Sequence, residues 1–168
     1  FSGIFDGLGH SINQLSMMSG YGGGSGLFSI TTKDALIQNV GLNGGSIWAT
    51  YVAGGLVGTN VGTIRNSYAA IDVDSYSVSG GLVARNNGVI TNSHATGAVN
   101  GQVQAGGLVG SNNGSISNSY ATGSVAGQTY IGGLVGINWG TVDTSFATGR
   151  LTITPGGYGI GGLIGSNS

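Results

Sequence analysis

The sequence predicts an all-β fold: a right-handed parallel β-helix, or solenoid, with about 26 residues and three short strands per rung. Three observations predict it. Gly-Gly-Leu-Val-Gly recurs along the chain, at Gly54–Gly58, as Gly80-Gly81-Leu82-Val83-Ala84, at Gly106–Gly110, at Gly132–Gly136, and as Gly161-Gly162-Leu163-Ile164-Gly165, with offsets of 26, 26, 26 and 29 residues. A fixed period of this size marks an array of stacked units rather than one globular core. Each period holds three short apolar runs separated by turn signals. The composition favours strands: Thr, Val, Ile, Tyr and Ser are plentiful, and helix formers are scarce.

The elements follow in chain order. Residues 1–24 read as a diverged leading turn, ending in the loose link Gly20-Tyr21-Gly22-Gly23-Gly24. Residues 25–53 are a diverged rung that keeps Gly26-Leu27-Phe28 and Leu36-Ile37-Gln38-Asn39. Residues 54–160 form four regular rungs, the last widened around Pro155-Gly156-Gly157, and 161–168 start a further rung that is cut short. In each regular rung the first run is the Leu-Val after the double glycine. The second centres on Ile64, Ile90, Ile116 and Val142, the third on Val73, Val99, Val125 and Leu151. Asn-x-Gly, from Asn60-Val61-Gly62 to Asn138-Trp139-Gly140, bends the chain between the first two, because Asn and Gly tolerate left-handed backbone. Ala-Thr-Gly, as at Ala95-Thr96-Gly97, is expected to make the second bend, and the double glycine the third.

A meander needs an even number of reversals per repeat to superimpose, whereas a coil superimposes with any number. Rungs would then lie about 4.8 Å apart, and roughly six of them would make a body about 30 Å long. The right hand is expected because parallel crossovers favour it. Leu56, Leu82, Leu108, Leu134 and Leu163 should stack in one interior column, and Ile64, Ile90, Ile116 and Val142 in another. Asn66, Asn92 and Asn118 are expected to form an amide ladder along the axis. The whole of 1–168 reads as one segment of a longer protein, because both ends look cut.

Glycine supplies 37 of 168 residues, but 39% of the chain is hydrophobic and the glycines keep phase with leucine and valine, which argues against disorder. Only 5% of residues are charged, there is no glutamate, and the net charge is -1, so no basic patch points to nucleic acid or an anionic membrane. There is no cysteine, hence no disulfide and no thiolate metal site. No apolar run approaches the ~18 residues of a membrane-spanning helix.

The repeat GGLVGxNxGxIxNSYATGxV resembles the GLUG motif of bacterial surface and secreted proteins, closely over 54–151 and again at 161–167. The opening Phe1-Ser2-Gly3-Ile4-Phe5-Asp6-Gly7-Leu8-Gly9-His10-Ser11-Ile12 is similar to a segment found before such repeats. Together they resemble filamentous-haemagglutinin-type adhesins. The resemblance implies a parallel β-helix shaft, secreted or on a bacterial cell surface, and it speaks to architecture rather than activity. Arg85 and the pair Asp143-Thr144 depart from the repeat pattern and put local turn geometry in question.

Catalysis on such a scaffold needs clustered carboxylates, or a carboxylate with a basic partner. Asp72 and Asp74 are the one close acidic pair; they share a strand face and recur in no other rung, so they read as a solvated outward face, with a weak cation site as the sharper reading and a partner in Arg85 or a later arginine considered. His10 and His94 lie on different rungs and make no zinc set; His10 should hold a turn. Gly157-Tyr158-Gly159-Ile160-Gly161-Gly162 matches G-x-G-x-x-G, but a dinucleotide site needs a following helix. Asn113-Gly114-Ser115 fits a glycosylation sequon and is also the ordinary bend. No cofactor, no metal and no enzymatic activity are expected.

Two columns are binding candidates. Tyr68, His94, Tyr120 and Phe146 point inward if alternation from Ile64 is strict. A bend at Asn66, Asn92 and Asn118 would turn them outward, leaving the small Ser67/Ser93/Ser119 and Ala69/Ala95/Ala121 inside. An outward aromatic ladder would suit sugar rings or a partner. Thr96, Thr122 and Thr148 supply one threonine per rung, as an ice-binding array would, though without paired Thr-x-Thr. The expectation is therefore a structural shaft of an exported bacterial surface adhesin that presents or forms a binding surface. The alternatives are a glycan- or ice-binding solenoid, a non-catalytic repeat of a carbohydrate-active enzyme, or such an enzyme itself. Expected partners are a host-surface or matrix glycan or protein, and end-to-end self-association through open strand edges, with no nucleic acid and no membrane insertion.

Overall fold

The structure, a computed structural model, describes residues 1–20 and 23–168. Tyr21 and Gly22 of the glycine-rich link lie outside the described residues. The chain winds as a β-solenoid of parallel strands, about six turns long, with a period of about 26 residues. No described residue is helical. Three sheets form its faces. The first face stacks Phe28–Ile30, Val57–Asn60, Val83–Asn86, Val109–Asn112, Val135–Asn138 and Ile164–Asn167. The second stacks Ile4–Asp6, Leu36–Gln38, Thr63–Arg65, Val89–Thr91, Ser115–Ser117 and Thr141–Asp143. The third face carries the remaining strands.

The register explains the repeat. Val83 pairs with Val57 below and Val109 above, and Ile90 with Ile64 and Ile116. The leucines form the expected file: the Leu56 amide donates to Leu82 at 2.8 Å, Leu82 to Leu108 at 3.0 Å and Leu108 to Leu134 at 2.9 Å. Leu56, Leu82, Leu108 and Leu134 are fully buried with Ile64, Ile90 and Ile116. Each such side chain contributes about 1.5–3 kcal/mol by burial, but only when its neighbours stand above and below it. The second glycine of each pair marks where the wall is thinnest. A Cβ on Gly81 would run into the Gly107 carbonyl and the Ala95 methyl, and one on Gly107 into Gly133 and Ala121.

Two expectations about the bends are corrected. The corner between the second and third faces lies at Asn66, Asn92 and Asn118, whose φ angles are 50, 48 and 49°, and not at Ala-Thr-Gly. Asn tolerates this left-handed conformation because its short amide costs less there than a bulkier side chain. Thr144 keeps the turn in the last regular rung with φ 44°, so the Asp143-Thr144 departure leaves the corner intact. Ala-Thr-Gly instead interrupts the third face, which is longer than one short strand. It is continuous from Tyr68 to Ser75, where Ala69-Ala70-Ile71 replaces Ala-Thr-Gly. In the next rung the same stretch splits into His94–Ala95 and Val99–Gly101. A Cβ on Gly97 would strike the Ile71 backbone, so only glycine lets the chain dip there.

The expected amide ladder exists in a different column. Asn60 donates to Asn86 at 2.8 Å, Asn86 to Asn112 at 2.8 Å, Asn112 to Asn138 at 2.7 Å and Asn138 to Asn167 at 2.7 Å, all side chain to side chain. Thr31 starts the file by donating its hydroxyl to the Asn60 Oδ1 at 2.8 Å. Each of these Asn residues ends a first-face strand, and Asn60, Asn86, Asn112 and Asn138 turn their amides into the interior. In the Asn66 column, Asn66 donates to Asn39 at 3.3 Å and Asn39 to Asp6 at 3.0 Å, but the series does not continue to Asn92 and Asn118, whose side chains leave the corner toward solvent. A second polar file lies just inside that corner. The Ser67 amide donates to the Ser93 hydroxyl at 3.2 Å, Ser93 to Ser119 at 3.2 Å and Ser119 to Ser145 at 3.1 Å. Each hydroxyl in turn donates to a carbonyl two residues earlier in its own rung. Among the described residues no buried side-chain polar atom lacks a partner. Buried amides and hydroxyls would be costly otherwise.

Candidate binding surface

The left-handed corner sets which side chains face water. One residue at positive φ reverses the alternation: Ser67, Ser93 and Ser119 point in, the next residue out, and Ala69, Ala95 and Ala121 in again. Tyr68, His94, Tyr120 and Phe146 therefore stand on the outside of the third face, in direct register. Their rings stack almost coplanar. Centroids are 5.1 Å apart from Tyr68 to His94, 4.6 Å from His94 to Tyr120 and 5.1 Å from Tyr120 to Phe146, with interplanar angles of 7, 3 and 6°. Below Tyr68 the column meets Gly41, whose missing Cβ leaves the space the tyrosine ring fills. The Tyr68 hydroxyl donates to Asn43 at 3.3 Å.

This geometry limits what the ladder can bind. A sugar ring stacks on an aromatic face, and here each inner face is already covered by the next ring. The ladder offers edges: the phenol oxygens of Tyr68 and Tyr120 and the imidazole of His94. Only Phe146, 52% exposed, leaves much of its ring to solvent. Burial between the two tyrosines lowers the His94 pKa from its ordinary value, since the charged form loses water there.

Thr96, Thr122 and Thr148 form an exposed column on the same outward face, with their amides donating to Ala69, Ala95 and Ala121 at 2.9, 3.0 and 3.0 Å. The column does not extend downward, where Ala70 and Asn43 hold the equivalent register. Asp72 and Asp74 also face out. The Asp72 carboxylate accepts from the Ala98 amide at 2.9 Å, which ties it to the next rung. Asp74 lies in register between Trp48 and Asn100. Arg85 sits on the first face, in register with Thr59 and Ser111, and so is not the partner considered for Asp72. No group of three or more potential metal-ligating side chains forms among the described residues.

The other sequence signals resolve simply. The His10 amide donates to the Gly7 carbonyl at 2.8 Å and closes the turn of the opening motif. In that motif Asp6 accepts from the Leu8 amide at 2.9 Å, from Gln38 at 2.7 Å and from Asn39 at 3.0 Å, binding the first turn to the second. The Asn39 bond, then those from Leu8 and Gln38, hold its carboxyl below the ordinary range. Asn113 is exposed in its bend and donates to Asn87 at 2.9 Å. The G-x-G-x-x-G match lies within and just beyond the strand Leu151–Gly161 and leads into the strand Ile164–Asn167, where a dinucleotide site has a helix.

Sequence reasoning passed over two features. One is the interior Asn60 file, read as a bend alone. The other is a set of exposed tyrosines at a bend within the third face, between strands such as Tyr68–Ser75 and Val78–Gly80: Tyr51, Tyr76 and Tyr158, with Tyr130 partly covered. Tyr130 and Tyr158 meet edge to face at 5.4 Å and 79°. The Tyr158 hydroxyl beside it raises the Tyr130 phenol above its ordinary range.

Residues 101–126 and 127–154 each match the family model described as the GLUG motif. No curated protein and no solved structure matches the chain.

Proposed function

We propose, from GLUG repeats wound as a β-solenoid, that this chain is the structural shaft of an exported bacterial surface adhesin, projecting or forming a binding surface. The observation that carries the reading is the axial register, which runs without a shift through the first and second faces. Backbone, leucine, asparagine and serine files all run through the regular rungs, so each rung is held by its neighbours from wall to core. Such a body spaces two ends apart and leaves few unpaired strand edges along its length for a protease to enter. Outward positions such as Arg65, Thr91, Ser117 and Asp143 vary from rung to rung while the inward Ile64, Ile90 and Ile116 repeat, as suits a support that carries different surfaces.

The proposal assigns the chain no catalysis. Its support is the scatter of the few charged groups, with Asp72 spent on a backbone amide and Arg85 on another face. Antibodies raised against the folded chain test the location. They should label intact cells of the source organism, and external protease should strip that label. Labelling that appears only after the cells are permeabilised would overturn the reading.

A further inference from the structure

The bend within the third face, where Tyr76 separates Tyr68–Ser75 from Val78–Gly80, forms a corner that differs from the rest of the surface. Successive rungs place Tyr51, Tyr76, Gln102, Gln128 and Tyr158 along it, with Tyr130 beside them. The Tyr76 amide donates to Thr50 below at 3.2 Å and Gln128 to Gln102 at 3.2 Å, and Thr129 pairs with Tyr158, which fixes their order along the axis. Tyr76 and Tyr158 are each 59% exposed. Among the described residues no parallel ring stacks on Tyr76 or Tyr158, unlike in the Tyr68 ladder, and the edge-to-face contact of Tyr158 with Tyr130 covers at most one face of one ring.

Two further observations point to a ligand. The register shifts between Gly127 and Thr129, and Tyr130 is held at φ 51° beside that irregularity, its ring lying over Gly159. A bulky residue at positive φ is a costly choice that folds retain mainly where a side chain must be aimed. Charge is also sparse at the corner, with Asp74, two residues before Tyr76, the acidic group that borders it. Residues 75–84, 86–142 and 151–168 contain no Asp, Glu, Lys or Arg. Open phenol rings interleaved with primary amides, and no ionic group among them, match a polyhydroxylated neutral chain. Its C–H faces stack on tyrosine and its hydroxyls pair with amides. Tyr76 and Tyr130 lie two rungs apart, about 10 Å, and Tyr158 one rung further. An extended pyranose chain advances by close to one rung spacing per sugar.

We propose that this corner binds a neutral glycan chain laid along the solenoid axis, with Tyr76 under one end, Tyr130 and Tyr158 under the other, and Gln102 and Gln128 hydrogen-bonding the hydroxyls between. The site goes beyond the shaft reading and stands or falls separately, because a shaft without it would still label on intact cells.

Affinity electrophoresis of the full chain tests it, through gels containing a β-1,4-glucan, a β-1,3-glucan or dextran as neutral probes and alginate as the anionic one. At least one neutral gel should retard the chain. Tyr76→Ala and Tyr158→Ala should each weaken that binding about three- to tenfold. Tyr158→Phe should restore most of it, and Tyr120→Phe, on the other ladder, should change nothing. Because both rings are exposed, melting curves should match the parent and exclude misfolding. Retardation by alginate alone, by none of the gels, or equally for the double variant Tyr76→Ala/Tyr158→Ala would overturn the proposal. So would a concentration-dependent dimer that Tyr76→Ala abolishes, which would make a second copy the occupant.

Discussion

Replacing Asn112 with alanine separates the interior amide file from the corner asparagines. Asn112 accepts from Asn86 at 2.8 Å and donates to Asn138 at 2.7 Å, to Gly114 at 3.3 Å and to Thr141 at 3.4 Å. The Asn86 amide keeps the Gly88 and Ser115 carbonyls after the change. The Asn138 Oδ1 loses its donor and is left bare in the interior. Two axial bonds at about 1 kcal/mol each and one orphaned buried oxygen at about 1–3 kcal/mol sum to about 3–5 kcal/mol. For a chain of this size that lowers the melting temperature by about 10 °C. Asn118→Ala removes no interior bond and only places alanine in left-handed backbone, at about 1 kcal/mol. Asn118→Gly should cost still less. Thermal melts and urea midpoints of the three variants, followed by circular dichroism, provide the comparison. If Asn118→Ala melted below Asn112→Ala, or Asn112→Ala fell within 1 kcal/mol of the parent, the interior file would not be a source of stability.

Three other outcomes are expected. Gly107→Ala drives a methyl into the Gly133 carbonyl and the Ala121 methyl, and should abolish soluble folded protein or cost more than about 3 kcal/mol in denaturant melts, whereas Gly156→Ala, with open space around it, should cost only the strain of its φ of 85°. His94 has a folded pKa below its unfolded value, so the unfolded chain binds the extra proton first; stability should be full above about pH 6.5 and decline as pH falls below it, and His94→Phe should remove that part of the decline in melts between pH 5 and 8. Excising residues 106–131 joins Ala105 to Gly132, which begins the same repeat, so the product should stay folded and shorten by about 4.8 Å in X-ray scattering, and an unfolded product would refute the equivalence of rungs.

Much of the fold is legible in the repeat itself. The 26-residue offset of Leu82, Leu108 and Leu134 dictates stacking, because a single rung cannot enclose a leucine. The small residues Ser67 and Ala69 around Tyr68 already hint that the aromatics face out, but strict alternation from Ile64 says the opposite. One left-handed residue decides between them, and Asn60 and Asn66 are equally good candidates for it by residue type. That ambiguity also hid the amide file, since a turn-forming Asn and an inward hydrogen-bonding Asn look alike in sequence. The corner tyrosines escaped for another reason. Tyr51, Tyr76, Tyr130 and Tyr158 do not recur at one offset, and Gln102 occupies the rung between, so a search for columns of like residues passes over them.

The interior asparagine file has a direction. Every Nδ2 donates to the Oδ1 of the following rung while its other hydrogen is claimed by the bend carbonyl of its own rung, as Asn60 does with Gly62 and Asn138 with Gly140. Reversing one amide would set its oxygen against that carbonyl, so the whole line must agree. The solenoid is therefore vectorial. A leading turn must bring an acceptor-seeking hydroxyl or amide, as Thr31 does, and a following turn must bring an oxygen. Modules of this kind can be concatenated head to tail into longer fibres, but two identical tails brought together would meet like groups and repel.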